Sequence, residues 1–438
     1  MFYSIRNNSG YILILGLWSV VGMINTQLAF VVILSNLFLF FRKERYFEAL
    51  FGFFFLLVLS DNTEELWRFA KDIKPFYLIT FAALIFTQYN KLITTTKIFK
   101  FIIPYLIVGV VSLIFAKEEN FFIGIQKMIS YSLIFIAIPN IVMFEYERIG
   151  EEFFANLIAY SVIIHFIGLS VIITFPEVGM SHGGRWQGAL GNPNGLGLFL
   201  IVFYTAFRSI DHEFPKLFSR NERVFYFLLT FILLWMSGSR TALLSITAFE
   251  IAYNGFKYSK GLTVLLIATI LIYFNQIYDI IIDGLISLGL SSSLRLDNLE
   301  SGSGRLIAWQ FAFNHIWDNT LFVGKGFGYD EFLMRSNFMY LSRLGHEGGV
   351  HNSYLIMWLN TGLIGLIAFM FGFLKLFIEG FKKKRYAFPL LLAVLISATF
   401  EPWITSSLNP YTVILLVTMT LMLCINTDEK VELEEAIA

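Results

Sequence analysis

Charge is scarce in this sequence. Asp, Glu, Lys and Arg make up 15% of its 438 residues, and 32 basic groups cancel 32 acidic ones. A soluble domain carries about a quarter of its residues as charges, so a soluble globular protein of this length is excluded. The zero net charge also removes any electrostatic argument for a nucleic-acid partner. Cysteine is represented by Cys424 alone, so no internal disulfide can form. Alternating apolar and polar segments of about 10 residues, the mark of a membrane β-barrel, are missing. Low-complexity tracts and short-period repeats are missing too.

What is abundant is apolar. Hydrophobic residues are 57% of the chain, with 49 Phe among them, and they come in runs of about 15–20, the length that crosses a bilayer as a helix. The fold class is therefore an all-α polytopic membrane protein with about 12–14 spans. Their expected positions are 9–24, 27–41, 46–60, 75–90, 98–116, 124–143, 153–175, 191–207, 223–237, 240–256, 261–281, 351–379, 386–402 and 408–425. The whole chain, 1–438, reads as one integral membrane domain. No small-residue cleavage site follows the first run, so it reads as a retained span rather than a removed signal peptide.

Basic residues orient these spans. The loop Arg42-Lys43-Glu44-Arg45, the stretch Lys91 to Lys100, the loop Arg208 to Arg223, Lys257 with Lys260, and Lys382-Lys383-Lys384-Arg385 all belong inside. An even number of spans separates each from the next, so the assignment is consistent, with both termini inside. Outside lie 61–74, 176–190, the 237–240 turn and the long segment 282–350, which exceeds a simple connector. Within it, LIAWQFAFNHIW (306–317) has the spacing of a helix that starts near Arg305. Asp61 to Glu65 reads as a solvated loop with a helix cap.

Three arginines then stand outside, against the charge bias, each among small residues at a helix boundary. Arg185 is in SHGGRWQGALGNPN, Arg240 in SGSRTALL and Arg305 in SGSGRLIAW. Guanidinium forks beside exposed helix N-termini suit phosphate or carboxylate. The bland alternatives are a solvated arginine after a cap, a snorkelling side chain and an incidental loop charge. His351 is on the same side, at the head of HNSYLIMWLNTGLIG. Its 11-residue spacing to Gly362 is close to three helical turns. The expectation is a stripe of His351, Trp358 and Gly362, with Gly365 near it, against which another helix packs closely. An imidazole at the mouth of such a helix has the pKa of a base near neutral pH; the bland reading is a capping or interface histidine. Outward carboxylates (Asp61, Glu64, Glu65, Asp283, Asp297, Glu300, Asp318, Asp330, Glu331 and Glu347) show no pair at ligand spacing, and His346 and His351 are poorly spaced for zinc. Neither metal nor cofactor is expected. Glu401, before Pro402 at an outer span end, is expected to pair with an arginine.

Together these stretches resemble the O-antigen ligase and polymerase superfamily of bacterial envelope glycan enzymes. HNSYLIMWLNTGLIG fits its His-Asn, nine residues, Gly, two residues, Gly pattern on His351, Asn352, Gly362 and Gly365. SGSRTALL fits its Arg, three residues, Leu pattern on Arg240 and Leu244. GRWQGALGNPNGLG is similar to its Arg…Gly…Asn-Pro-Asn stretch, on Arg185, Asn192 and Asn194. The segment from Arg305 through Trp309 to Gly324, Gly326 and Gly328 resembles its Arg…Trp…Gly-x-Gly run. The likeness covers about 180–370.

The resemblance implies a metal-independent, inverting glycosyltransferase of the membrane-embedded GT-C type. It acts at the outer face of the bacterial inner membrane, with 282–350 as a periplasmic loop over the active site. The implied donor is a glycan on undecaprenyl diphosphate. His351 would be the base, and Arg240, Arg305 and Arg185 would hold the diphosphate. The acceptor stays open: another lipid-linked repeat unit (a polymerase), the lipid A core of lipopolysaccharide (a ligase), or a protein hydroxyl. A compact chain without an appended domain leans toward the polymerase. Membrane lipid, and chain-length regulator or flippase proteins, are the implied partners. From another class, a transporter of the same lipid-linked glycan would use the arginines only to guide phosphate; it lacks support from repeated halves.

Overall fold

The computed structural model describes residues 9–62, 65–181, 183–272 and 304–425. Its helices are α1 (Ser9–Ile24), α2 (Thr26–Arg42), α3 (Tyr46–Asp61), α4 (Arg68–Thr87), α5 (Tyr89–Leu92), α6 (Lys97–Leu113), α7 (Glu118–Ile149), α8 (Glu152–Thr174) and α9 (Pro176–Gly179). They continue as α10 (Pro193–Glu213), α11 (Arg220–Ser237), α12 (Arg240–Tyr258), α13 (Lys260–Ile272), α14 (Arg305–His315), α15 (Tyr329–Ser336), α16 (Phe338–Arg343), α17 (Ser353–Lys383), α18 (Ala387–Phe400) and α19 (Pro410–Cys424). Among the described residues the extended pairing is a single bridge, Met180 to Trp186. The protein is an all-α polytopic membrane protein. α7, α8, α10 and α17 are long and apolar enough to cross a membrane, and each expected span, as far as the described residues reach, falls on a helix. Much of the expected segment 282–350 and the end of span 261–281 lie outside the described residues, as do Glu64, Asp283, Asp297 and Glu300.

The chain divides into two compact units. The first comprises Met1–Phe101, Ile129–Ser237 and Ser406–Ala438. Its centre is α3, whose residues from Tyr46 to Ser60 are all buried. A helix that is apolar on every side belongs inside a bundle, and α2, α4, α8 and α19 surround this one. Aromatic side chains fill the gaps: Phe51 and Tyr160 approach to 5.0 Å between ring centroids. Buried hydroxyls find backbone partners, Tyr11 on Glu48 O at 2.7 Å and Tyr77 on Ala49 O at 2.8 Å.

The second unit comprises Ile102–Met128 and Gly238–Thr405. Here α12 packs along α18, and α18 along α17. Phe256, near the end of α12, stacks on Phe388, near the start of α18, at 5.3 Å. Tyr354, near the start of α17, donates to Leu395 O, late in α18, at 2.9 Å. Both neighbours of α18 therefore run antiparallel to it. The starts of α12 and α17 and the end of α18 thus meet at one end of the unit.

Over that end lie α14, α15 and α16. Ala308, Ala312, Ile316, Leu333, Leu341, Val350, Ile356 and Leu359 form their shared core with α17. As expected, a helix starts at Arg305; it passes at Ile316–Thr320 into a π-helical turn.

Candidate active site

The sequence Val350-His351-Asn352-Ser353 turns the chain into α17 through a strained step. His351 has φ 50°, a left-handed conformation that costs a residue with a β-carbon about 1–2 kcal/mol. Asn352 then caps the helix: its Oδ1 accepts from the N–H groups of Tyr354 (2.9 Å) and Leu355 (3.0 Å). An Asn cap satisfies donors that the first turn leaves open. His351 is thus outside the helix, not on its surface. The expected stripe of His351, Trp358 and Gly362 is corrected, because turn counting has no meaning ahead of the cap.

The two glycines also serve a different purpose from the one expected. Gly362 (φ 73°, ψ −180°) breaks α17. The partner at the break is not another helix but the segment Leu321–Gly326. Leu363 N donates to Leu321 O at 3.0 Å, Gly326 N to Asn360 O at 2.9 Å, and Trp358 Nε1 to Leu321 O at 2.8 Å. A Cβ at Gly362 would overlap the Phe322 carbonyl, and one at Gly324 the Asn360 backbone. Gly365 faces Thr361 of its own helix.

Next to this clamp, Asn360 and Asp330 pair both ways. Asp330 N donates to Asn360 Oδ1 at 3.0 Å, and Asn360 Nδ2 donates to Asp330 Oδ1 at 2.9 Å. Burial pushes the Asp330 carboxyl above the ordinary range, against Lys127 and Asn360, which pull it down. Outer support comes from the 102–128 segment: Lys127 Nζ meets Glu331 Oε1 at 2.5 Å, and Asn120 Nδ2 donates to Lys325 O at 3.1 Å.

The clamp fixes the first two turns of α17, from Ser353 to the break at Gly362, and with them His351. Glu401, which follows α18, is 6% exposed. It meets three groups, one at the head of α14 and two at the head of α17. Arg305 at the start of α14 donates through Nη2 to Glu401 Oε1. Ser353 Oγ donates to the Glu401 carbonyl at 2.7 Å. His351 Nδ1 stands 3.7 Å from Glu401 Oε2, with no hydrogen bond of its own. The pairing of Glu401 with an arginine agrees with the sequence expectation. Gly304 (φ 77°) lets the start of α14 press on the Gly345–His346 turn, where a Cβ would lie 3.0 Å from Gly345 O. His346 sits edge-on to His351, 6.1 Å between ring centroids, and its Nε2 is 3.1 Å from Gly349 O. A Cβ at Gly348 would lie 3.0 Å from His351 Nε2, so glycine there keeps the far nitrogen open.

Arg240 is the first residue of α12, after Ser239, and so shares this end with Glu401. Leu244, four residues on, is 44% exposed and lies on the same helix face. The structure thus brings His351, Arg305 and Glu401 together and sets Arg240 at the same end of the unit. Three helix N-termini gather here (α12, α14 and α17), and their partial positive charges favour an anion.

Arg185 belongs to the first unit. Its Nε donates to Ser237 O at 2.7 Å and its Nη2 to Asn194 Oδ1 at 3.1 Å. Asn192 caps α10 by accepting from Gly195 N at 2.8 Å, with Pro193 at the first helical position. Asp61 and Asn62 are not in a solvated loop: Asn62 is 1% exposed, and Asp61 Oδ2 accepts from Gly191 N and Tyr411 OH, each at 3.2 Å. The reason is that the 188–195 turn packs on the end of α3, where Gly191 leaves no room for a side chain beside the Asp61 carbonyl. Sequence reasoning named every charged member of the second-unit cluster but missed Ser353, Gly348 and the Leu321–Gly326 segment. The Gly324-x-Gly326-x-Gly328 spacing was the one signal for the last of these.

Compared with known families, residues 225–370 match the family model described as O-antigen ligase. Among curated proteins, none matches the chain.

Proposed function

We propose, from the match of residues 225–370 to the family model described as O-antigen ligase, that this protein transfers a glycan from undecaprenyl diphosphate to a sugar hydroxyl. The acceptor in this proposal is a second lipid-linked repeat unit, which makes the protein a polysaccharide polymerase of the GT-C type. It works in the bacterial inner membrane, at the periplasmic face. One observation carries the reading: a half-buried histidine, a buried glutamate and an arginine from three separate elements meet where three helices begin.

The chemistry follows from those groups. The acceptor hydroxyl gives its proton to His351 Nε2. Its oxygen bonds to the anomeric carbon of the donor, opposite the leaving group, which inverts that centre. The bond from that carbon to the diphosphate breaks, and its electron pair stays on the phosphate oxygen. Charge grows on that oxygen, and fixed cationic donors lower the barrier most where charge develops. Arg240 is the leading group for this role: it opens α12 and presents a forked donor. Arg305 would share it, turning the rest of its fork to phosphate while Nη2 stays on Glu401 Oε1. Arg185 enters through the sequence motif alone, its guanidinium being held by Ser237 and Asn194. These cations make metal unnecessary to the proposal. The exposed aromatic side chains of the helices suit contact with the polyprenyl tail and with membrane lipid.

The test is a transfer assay on purified protein in nanodiscs, with chelator and a native undecaprenyl-diphosphate-linked repeat unit. Mass spectrometry should show lengthened glycans on the lipid. His351→Asn should abolish them, since Asn tolerates the left-handed backbone at that position but offers no base. Arg240→Lys, which keeps the charge and loses the fork, should slow transfer about 10–100-fold. Transfer only when a lipid A core is supplied would make the protein a ligase.

A further inference from the structure

Glu401 is a charged group taken out of water. Such a group is retained only where its partners compensate it. Arg305 accounts for Oε1. Oε2 faces His351 Nδ1 across 3.7 Å, and the main chain of Glu401 is tied to α17 through Ser353 Oγ. Glu401 is therefore held at two points: its carboxylate by Arg305 and its main-chain carbonyl by Ser353, two residues after His351. His351 Nδ1 is buried and makes no hydrogen bond. His346 is the neighbouring titratable ring, and its Nε2 is turned to Gly349 O, not to Glu401.

We infer that Glu401 is the positioning residue of the site: its Oε2 keeps the His351 proton on Nδ1, leaving Nε2 free to take the proton of the acceptor hydroxyl. This rests on the reading of His351 as the base. A carboxylate only accepts, so the facing nitrogen must be the one that bears hydrogen. A slight turn of the ring closes the 3.7 Å gap to a charge-assisted hydrogen bond when Nε2 gains its proton. Because the other Glu401 oxygen holds Arg305, the same carboxylate ties the base to a cation proposed for the diphosphate.

Glu401→Gln separates this from plain support. Arg305 can only donate, so the Gln carbonyl must turn to it, and the amide NH2 must face Nδ1. Nδ1 then accepts, and the proton moves to Nε2. Packing is preserved while the base nitrogen is blocked. The measurement is ¹⁵N-histidine NMR on the full chain in nanodiscs at alkaline pH without substrate, the His351 signal assigned by its loss in His351→Asn. The expected result is a proton on Nδ1 in the wild type and on Nε2 in Glu401→Gln. In the transfer assay Glu401→Gln should lower kcat about 10²–10⁴-fold, as wrong-tautomer variants do, with KM within about threefold. Glu401→Asp should keep the Nδ1 proton and part of kcat. A wild-type ring protonated on Nε2, or a Glu401→Gln protein with wild-type kcat, would overturn the inference. Continued transfer by His351→Asn alongside the expected tautomer change would overturn the base reading instead, and leave Glu401 as the residue that orients the ring.

Discussion

At the scale of single residues, the site is held by positions whose backbone few side chains could adopt. His351 at φ 50° and Gly362 at φ 73° are two. Gly362→Ala should combine backbone strain with a clash against the Phe322 carbonyl. A loss of about 1–3 kcal/mol is expected from the strain alone, read as a lower unfolding midpoint in detergent. Gly348→Ala adds a block at the site to the same kind of strain, since Gly348 has φ 149°. Its methyl would stand 3.0 Å from His351 Nε2, so transfer should fall at least about tenfold at full acceptor concentration. The residue type was legible in the sequence at both ends of the site: a histidine and arginines among small residues at helix boundaries are visible in a string of letters. The turn of His351 away from the helix was not, because a spacing count carries no information on where a cap begins. Glu401 was legible as an acid before a proline at a span end, but its approach to His351 was not, since 50 positions separate them in the chain.

At the scale of elements, the clamp of Leu321–Gly326 on the break in α17 matters most. The Asp330–Asn360 pair lies beside it, and its contribution has a definite sign with pH. The folded carboxyl titrates above an unfolded one, because burial penalises its charge. Its stabilising contribution is therefore complete below the unfolded value, about 3.9, and is lost as pH rises through the folded one. Asp330→Asn stays neutral at every pH. It should raise the unfolding midpoint at neutral pH by about 2–4 °C and lose that advantage as pH falls toward about 4. A midpoint gap that stays constant with pH would count against this account. The spanning helices were legible in number and order, with edges off by up to about seven residues, since long apolar runs leave the backbone no other way to satisfy its polar groups in lipid. The clamp was not. Its partners pair through main-chain atoms, which every residue possesses.

At the scale of the whole molecule, charge asymmetry sets the orientation that the proposal needs. Cys424 is the sole native thiol, so a Cys424→Ser background allows clean labelling. A cysteine at Glu347 should react with a membrane-impermeant maleimide added to spheroplasts, and one at Lys383 should react only after lysis. The reverse pattern would remove the periplasmic site from the proposal.

The break at Gly362 has a mechanical consequence for how the protein lives in its solvent. A continuous rod of 31 residues would pass any tilt imposed by bilayer thickness straight to its head. Two rods joined at a glycine need not: Leu321–Gly326 grips both sides of the joint, through Asn360 before it and Leu363 after it, while the longer rod beyond can lean to match a thicker or thinner hydrocarbon layer. Transfer rates in nanodiscs of short and long acyl chains should accordingly differ little, whereas a variant that stiffens the joint should make the enzyme a gauge of lipid length.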